Sequence, residues 1–363
     1  MSNLYGVIPL RGFSIVKEPF QLLYLSEEKH HIFIGLSYLS TLPPFENTNL
    51  ASLLLSPTLM QTIGYSDIEV IRNCPLLVFR FSENAFGDLE NTENLLKAET
   101  FICSVSVAFS MACWLLKPSS VYFERMILKF NQAFISNKID FRNYDFRCCS
   151  SQADFYEGDL KQLMEYSCIL RSYTIFDQFQ HTQQGIVLFG RLREFMGDSY
   201  KYYEQTIPFR TLIPGKGPSF YTALKNLQKY LESTQIPDRF QNGCTALEAL
   251  FATDDKGIKE KLAKRVAAII ASDENEAREV YLNMKNIYHL RSEESHGEGV
   301  FIDSSCIELS KHFDDYLRKT FVYFLFKPDL NYGSFEGKEV TVSKKHVDQY
   351  FQTIVKNCGW FES

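Results

Sequence analysis

The segment IYHLRSEESHGEG, residues 287–299, sets Arg291 and His296 five positions apart. A guanidinium stays charged at any physiological pH and offers a fork of donors that matches a phosphate or carboxylate. An imidazole takes up and releases a proton near neutrality, which is what a general acid or base must do. Side by side, these two residue types suit proton transfer next to a bound anion.

The surrounding pattern is helical. Ala277, Val280, Met284 and Ile287 recur at three- and four-residue steps, as the buried stripe of a helix does. The next step lands on Arg291, so a permanent cation occupies the phase of the core-facing residues. Burying it alone would be costly, and it therefore needs an anion or a cleft between subunits. Residues five apart on an ideal helix point about 140° away from each other. Arg291 and His296 thus meet only through long side chains, through fraying near Gly297, or across a second subunit. His296 falls in the expected last turn, where unpaired carbonyls favour the imidazolium, and Glu293 and Glu294 act in the same direction.

Further helices must support this one. Residues 220–231 carry Phe220, Ala223, Leu224, Leu227 and Leu231. A second stripe follows with Phe240, Cys244, Leu247 and Phe251, and a third with Ile258, Leu262, Val266 and Ile269. The motif helix opens with Asp273 and Glu276, a capping-box-like pair. Another helix follows Asp303 with Cys306, Leu309, Phe313, Leu317 and Phe324, and a last one follows Ser343 with Val347, Phe351 and Ile354. Stripes of this kind are buried only against one another, so a bundle is expected.

Upstream the pattern changes. Residues 30–39, 75–81, 121–130, 139–147 and 185–192 read as strands, and Ile32, Ile34 and Leu36 alternate as in a half-buried one. Residues 89–116 read as a long helix that starts polar and becomes apolar. Strands interrupted by helix without βαβ alternation make an α+β domain. The segment PFRTLIPGKGPSF, 208–220, reads as a linker. Its Gly-Lys-Gly lacks the spacing of a phosphate-binding loop. The expected architecture is an α+β regulatory domain over residues 1–205 and an all-α helical domain over 206–363.

Composition narrows the function. The 363 residues suffice for two cores, and 45% hydrophobic with 23% charged residues is ordinary for a globular protein. A net charge of −6 argues against coating duplex DNA without sequence preference, while leaving room for an enzyme that grips a few phosphates. Nine cysteines are scattered with no C-x-x-C pair, which suits reduced thiols in the cytoplasm and not a zinc site. The apolar run 100–116 contains Ser104, Ser106 and Ser110 and is shorter than the roughly 20 residues that span a bilayer, so it reads as a core helix. No secretory signal is evident, and no membrane, metal or cofactor is expected. His289 and His312 read as structural or exposed, and the pair His30 and His31 as flanking a strand.

The stretch from Arg291 to His296 matches the R-x4-6-H motif of the HEPN superfamily. Residues 218–326 resemble its ApeA-like branch, found in bacterial phage-resistance proteins. The likeness runs through ALEALF (246–251), KLAKRVAAII (261–270) and REVYLNMKNIYHLRSEESHG (278–297), in that order and spacing. Where that branch often has an apolar residue before the histidine, this chain has Ser295. The resemblance implies a homodimer with two motifs facing across a cleft, and RNA cleavage without metal. Arg291 and His296 would be the catalytic pair, and Ser292 would position Arg291 or the phosphate. Products would end in a 2′,3′-cyclic phosphate and a 5′-hydroxyl. Glu248 and Arg265 match polar positions of the same branch within otherwise apolar helices. Each reads either as half of a buried ion pair or as a support that orients the motif. A toxin or abortive-infection role implies a phage-derived trigger or an antitoxin protein as partner. The rival expectation is a non-catalytic module binding nucleotide, RNA or protein, with Arg291 a surface arginine and His296 a helix-terminal histidine.

Overall fold

The computed structural model describes residues 4–15, 20–27, 30–42, 50–81, 91–130, 133–141, 153–156, parts of 158–170, 219–251, 257–295, 303–325 and 344–361. The chain divides into two compact units, residues 1–143 with 150–197 and residues 144–149 with 198–363. The expected strand at 185–192, the domain boundary at 205/206, most of the Pro- and Gly-rich linker, His296, Gly297 and Gly299 lie outside the described residues.

The first unit is a mixed α+β structure. Six strands form one antiparallel sheet: β1 (Leu4–Pro9), β3 (Phe20–Glu27), β4 (His30–Ser37), β5 (Leu76–Phe81), β6 (Phe123–Phe130) and β7 (Ala133–Phe141). Their order is β3-β4-β5-β1-β6-β7. Two short strands, β2 (Phe13–Ile15) and β8 (Ala153–Phe155), pair in parallel beside it.

Both faces of the central strands are covered. Three short helices, α1 (Leu50–Leu54), α2 (Pro57–Ile63) and α3 (Tyr65–Asn73), bury Leu54, Leu59, Ile63, Ile68 and Ile71 against Tyr5, Val7, Val78 and Ile127. The long helix α4 (Thr92–Leu116) lies on the face that carries Gly6 and Phe79. A Cβ on Gly6 would stand 2.7 Å from the Ile102 Cδ1, so the absent side chain is what lets α4 approach. Phe101 packs edge-on against Phe81 at 5.5 Å. By length and hydropathy α4 could cross a membrane, yet 75% of its most apolar window is buried, as in the core helix of a globular domain. Two of its serines bond to backbone carbonyls. Ser106 donates to the Ile102 carbonyl at 2.8 Å and Ser110 to the Val121 carbonyl.

Strand β4 departs from its expected half-burial. Ile34 and Leu36 face α4 with their register partners Phe79 and Leu77, but Gly35 and Ser37 on the opposite face are buried too. Alternation in the sequence distinguishes two faces of a strand. It does not say whether the face of small residues meets water or three helices.

The second unit is helical. Its elements are α5 (Ser219–Glu232), α6 (Ile236–Phe251), α7 (Ile258–Ile270), α8 (Glu274–Ser295), α9 (Ser304–Leu325) and α10 (Lys344–Cys358). Helix α6 packs against each of the other five. Gly243 makes room for α9, since a Cβ there would lie 2.5 Å from the Phe313 ring. Phe251 meets Phe324 of α9 at 5.4 Å and Phe351 of α10 at 4.7 Å, both edge-on. A polar trio joins α5, α6 and α9: Arg239 pairs with Asp314, and the Tyr230 hydroxyl donates to Asp314 at 2.7 Å. Arg239 also donates to the Tyr230 and Ser233 carbonyls, and both charged side chains are fully buried. Helix α8 starts as its sequence suggests: the Glu276 amide donates to the Asp273 carboxylate at 2.9 Å, and the Glu276 carboxylate accepts from the Ser272 amide at 2.8 Å.

Candidate active site around Arg291

The α8 stripe is buried through Ala277, Val280, Met284 and Ile287. Arg291 continues it at the end of the helix, where its side chain keeps 21% exposure. One turn earlier on the same face stands Tyr288, and the last turn of α6 supplies Glu248.

These three side chains interlock. A guanidinium nitrogen of Arg291 lies 3.6 Å from the Glu248 carboxylate, which is exposed to the same extent. The Tyr288 hydroxyl donates to Glu248 at 2.9 Å and accepts from Arg291 at 3.4 Å. The guanidinium carbon sits 5.2 Å from the centre of the Tyr288 ring, within cation–π range. Arg291 is thus oriented by a carboxylate and a phenol while part of it faces solvent.

The same electrostatics define what the neighbours cannot do. Burial pushes the Tyr288 phenol well above the ordinary tyrosine range, and its hydrogen bond to Glu248 adds to this. It is a donor at neutral pH and not a base. Cys244, one turn before Glu248, is fully buried. Burial and the Glu248 charge raise its thiol far beyond the usual range, against a smaller opposing effect of Arg291. A thiol so protonated is a poor nucleophile. Neither side chain gives up its proton near neutral pH.

Of the residues singled out in the sequence, Arg291 and Glu248 are brought into contact. Ser292 follows Arg291 on α8 and is partly exposed. His296 lies outside the described residues, immediately after the last residue of α8. Arg265 points elsewhere. It is buried, pairs with Asp348 of α10, and donates to the Phe251 carbonyl at 3.0 Å. Of the two roles open to it, buried ion pair or support for the motif, its described contacts fit the first. His289 is 60% exposed beside Glu293 at 3.3 Å, and the His312 ring stacks on Tyr316.

Tyr288 was not singled out from the sequence. A signal was available: a tyrosine three positions before an arginine shares its helix face. Among the described residues, no group of three or more His, Cys, Asp or Glu side chains gathers as a metal site would require. Six of the nine cysteines are described, and each of them is a free thiol.

No family model matches the chain, and neither a curated protein nor a solved structure is detectably similar to it.

Proposed function

We propose that the protein is a HEPN-type endoribonuclease that cleaves RNA without metal, at a cleft between the helical domains of a homodimer. The observation that carries the reading is Arg291 itself: a partly exposed guanidinium, oriented by Glu248 and Tyr288, five positions before a histidine. The likeness of residues 218–326 to the ApeA-like HEPN branch supports it.

RNA carries its own nucleophile, the ribose 2′-hydroxyl. Attack on the adjacent phosphorus forms the new P–O bond and expels the 5′-oxygen. The chain must supply a base for the 2′ proton, an acid for the leaving oxygen and a cation for the phosphorane charge. His296 serves as base or acid, one from each subunit covering both roles. Arg291 holds the scissile phosphate through its donor fork, and Ser292 stands next to it. The role follows as a cytoplasmic toxin of the abortive-infection type in anti-phage defence. The α+β domain then restrains the nuclease or senses a phage-derived trigger, or an antitoxin protein holds it in check.

The Glu248–Arg291 contact favours one second reading. A carboxylate at 3.6 Å already neutralises part of the cation and competes with a phosphate for it. In a non-catalytic module binding nucleotide, RNA or protein, the same pair would simply brace α6 against α8. Incubating the purified full chain with total RNA in EDTA, followed by end-group analysis, separates the two. Fragments ending in 2′,3′-cyclic phosphate and 5′-hydroxyl support the nuclease. Intact RNA bound by the protein supports the module, and cleavage that needs added Mg²⁺ or Mn²⁺ removes the mechanism.

A further inference from the structure

A second concave site lies away from Arg291, between α7 and α10. It is a cavity of about 310 Å³ whose walls include Lys261, Lys264 and Arg265 from α7, Phe351 and Lys356 from α10, and Phe361 just beyond it. Four cations converge here in a chain whose net charge is −6. Arg265 is spent on Asp348 and forms, with the buried Phe351, the floor; its guanidinium lies 5.9 Å from that ring.

The lysines are less committed. Lys264 stands 4.0 Å from Glu260, a carboxylate that already takes Lys285 at 3.2 Å and the Tyr281 hydroxyl. Donation from Tyr281, with Lys285 and Lys264 nearby, holds Glu260 below the ordinary carboxylate range, so it is charged and shared. Lys261 and Lys356 make no ion pair among the described residues. Lys261 and Lys264 are three apart on one helix face, where like charges repel unless an anion lies between them. Gln352, Val355 and Phe361 complete the wall; Phe361 packs beside Tyr281 at 5.6 Å and lies 6.0 Å from the Lys264 ammonium.

Cations beside a half-buried aromatic ring suit a ligand with an anionic group next to a flat apolar body. The volume is at the lower end of the roughly 300–1,000 Å³ typical of small-molecule pockets, and well above what a lone phosphate fills. We propose that the cleft between α7 and α10 binds a nucleoside phosphate, with its phosphate held by Lys261, Lys264 and Lys356 and its base against Phe361. The inference does not rest on the nuclease reading, because it uses none of the residues around Arg291.

Calorimetric titration of the full chain tests it, with ADP, adenosine and inorganic phosphate as separate probes. ADP is expected to bind more tightly than either fragment. Lys261→Glu with Lys356→Glu should weaken ADP by at least about tenfold. Phe361→Ala should weaken ADP more than inorganic phosphate, and Arg291→Ala should leave ADP unchanged. Should the charge reversals lower the thermal midpoint, Lys261→Gln with Lys356→Gln is measured in their place, and unchanged ADP affinity there overturns the assignment. It is equally overturned if ADP does not bind at millimolar concentration, if adenosine or phosphate alone binds as well as ADP, or if Arg291→Ala abolishes binding. The last result would move the ligand to the other site.

Discussion

Glu248 and Tyr288 hold Arg291 in different ways. Glu248 supplies opposite charge, and Tyr288 supplies a ring face and a hydroxyl that bridges to Glu248. Glu248→Gln keeps an acceptor for Tyr288 but removes the charge. The expected outcome is a folded protein that binds RNA as tightly as before, or more so, and cleaves it more slowly. Misplacing a phosphate-holding group by about 1 Å can cost about 10²-fold in rate. Single-turnover rate and RNA affinity, measured side by side, check this. A parallel fall in both would show that Glu248 does no more than brace the fold. His296→Ala should lower cleavage about 10²–10⁴-fold, the usual worth of general acid or base assistance. Arg291→Lys should not restore an inactive Arg291→Ala, because an ammonium lacks the fork. Wild-type cleavage rates in purified His296→Ala, with contaminating nucleases excluded, would withdraw the catalytic assignment.

Helix α6 depends on a glycine and on a buried charge for its place in the bundle. Gly243→Ala would drive a methyl group to 2.5 Å from the Phe313 ring. Overpacking of this kind costs roughly 1–3 kcal/mol, and urea unfolding should show it. Asp314→Ala is expected to cost more, about 3–5 kcal/mol, since it strands the fully buried Arg239. At the start of α9, Asp303 accepts from the Cys306 amide at 2.9 Å and the Ser305 hydroxyl at 2.6 Å. These bonds hold its carboxyl down to about 2. The folded value lies below the unfolded one, so the stabilisation is complete above the ordinary carboxylate range. It is lost as pH falls from there towards about 2. Asp303→Ala should therefore destabilise the protein at neutral pH and make little difference at the acid end. Unfolding curves at both pH values give the comparison.

The proposed chemistry belongs to an assembly and not to one chain. One chain supplies one Arg291 and one His296, while proton removal and proton donation need two groups. Light scattering at micromolar concentration should report twice the mass of the chain. A monomer with full activity would remove the need for a composite site.

Much of the helical unit was legible in the sequence because amphipathic helices announce themselves locally. Stripes at three- and four-residue spacing, Asp273 with Glu276, and Asp303 mark α5 to α10 to within a few residues. The β-sheet was only partly legible. Strands β4, β5 and β6 stand out by their apolar residues, whereas β1, β2, β3 and the short helices α1 to α3 do not carry a pattern strong enough by itself. Their identity depends on partners far along the chain: Gly6 is a strand residue because Phe79 and Leu128 flank it and Ile102 covers it. At the candidate site the sequence determined that a cation occupies the core phase of α8, since periodicity is a property of one helix. Which group answers that cation is a contact between helices. Only the packing of α8 on α6 decided that Glu248 meets Arg291, while the tie between α7 and α10 sent Arg265 to Asp348. Both carboxylates and both guanidiniums were visible in the sequence, but charge complementarity alone does not say which pairs with which.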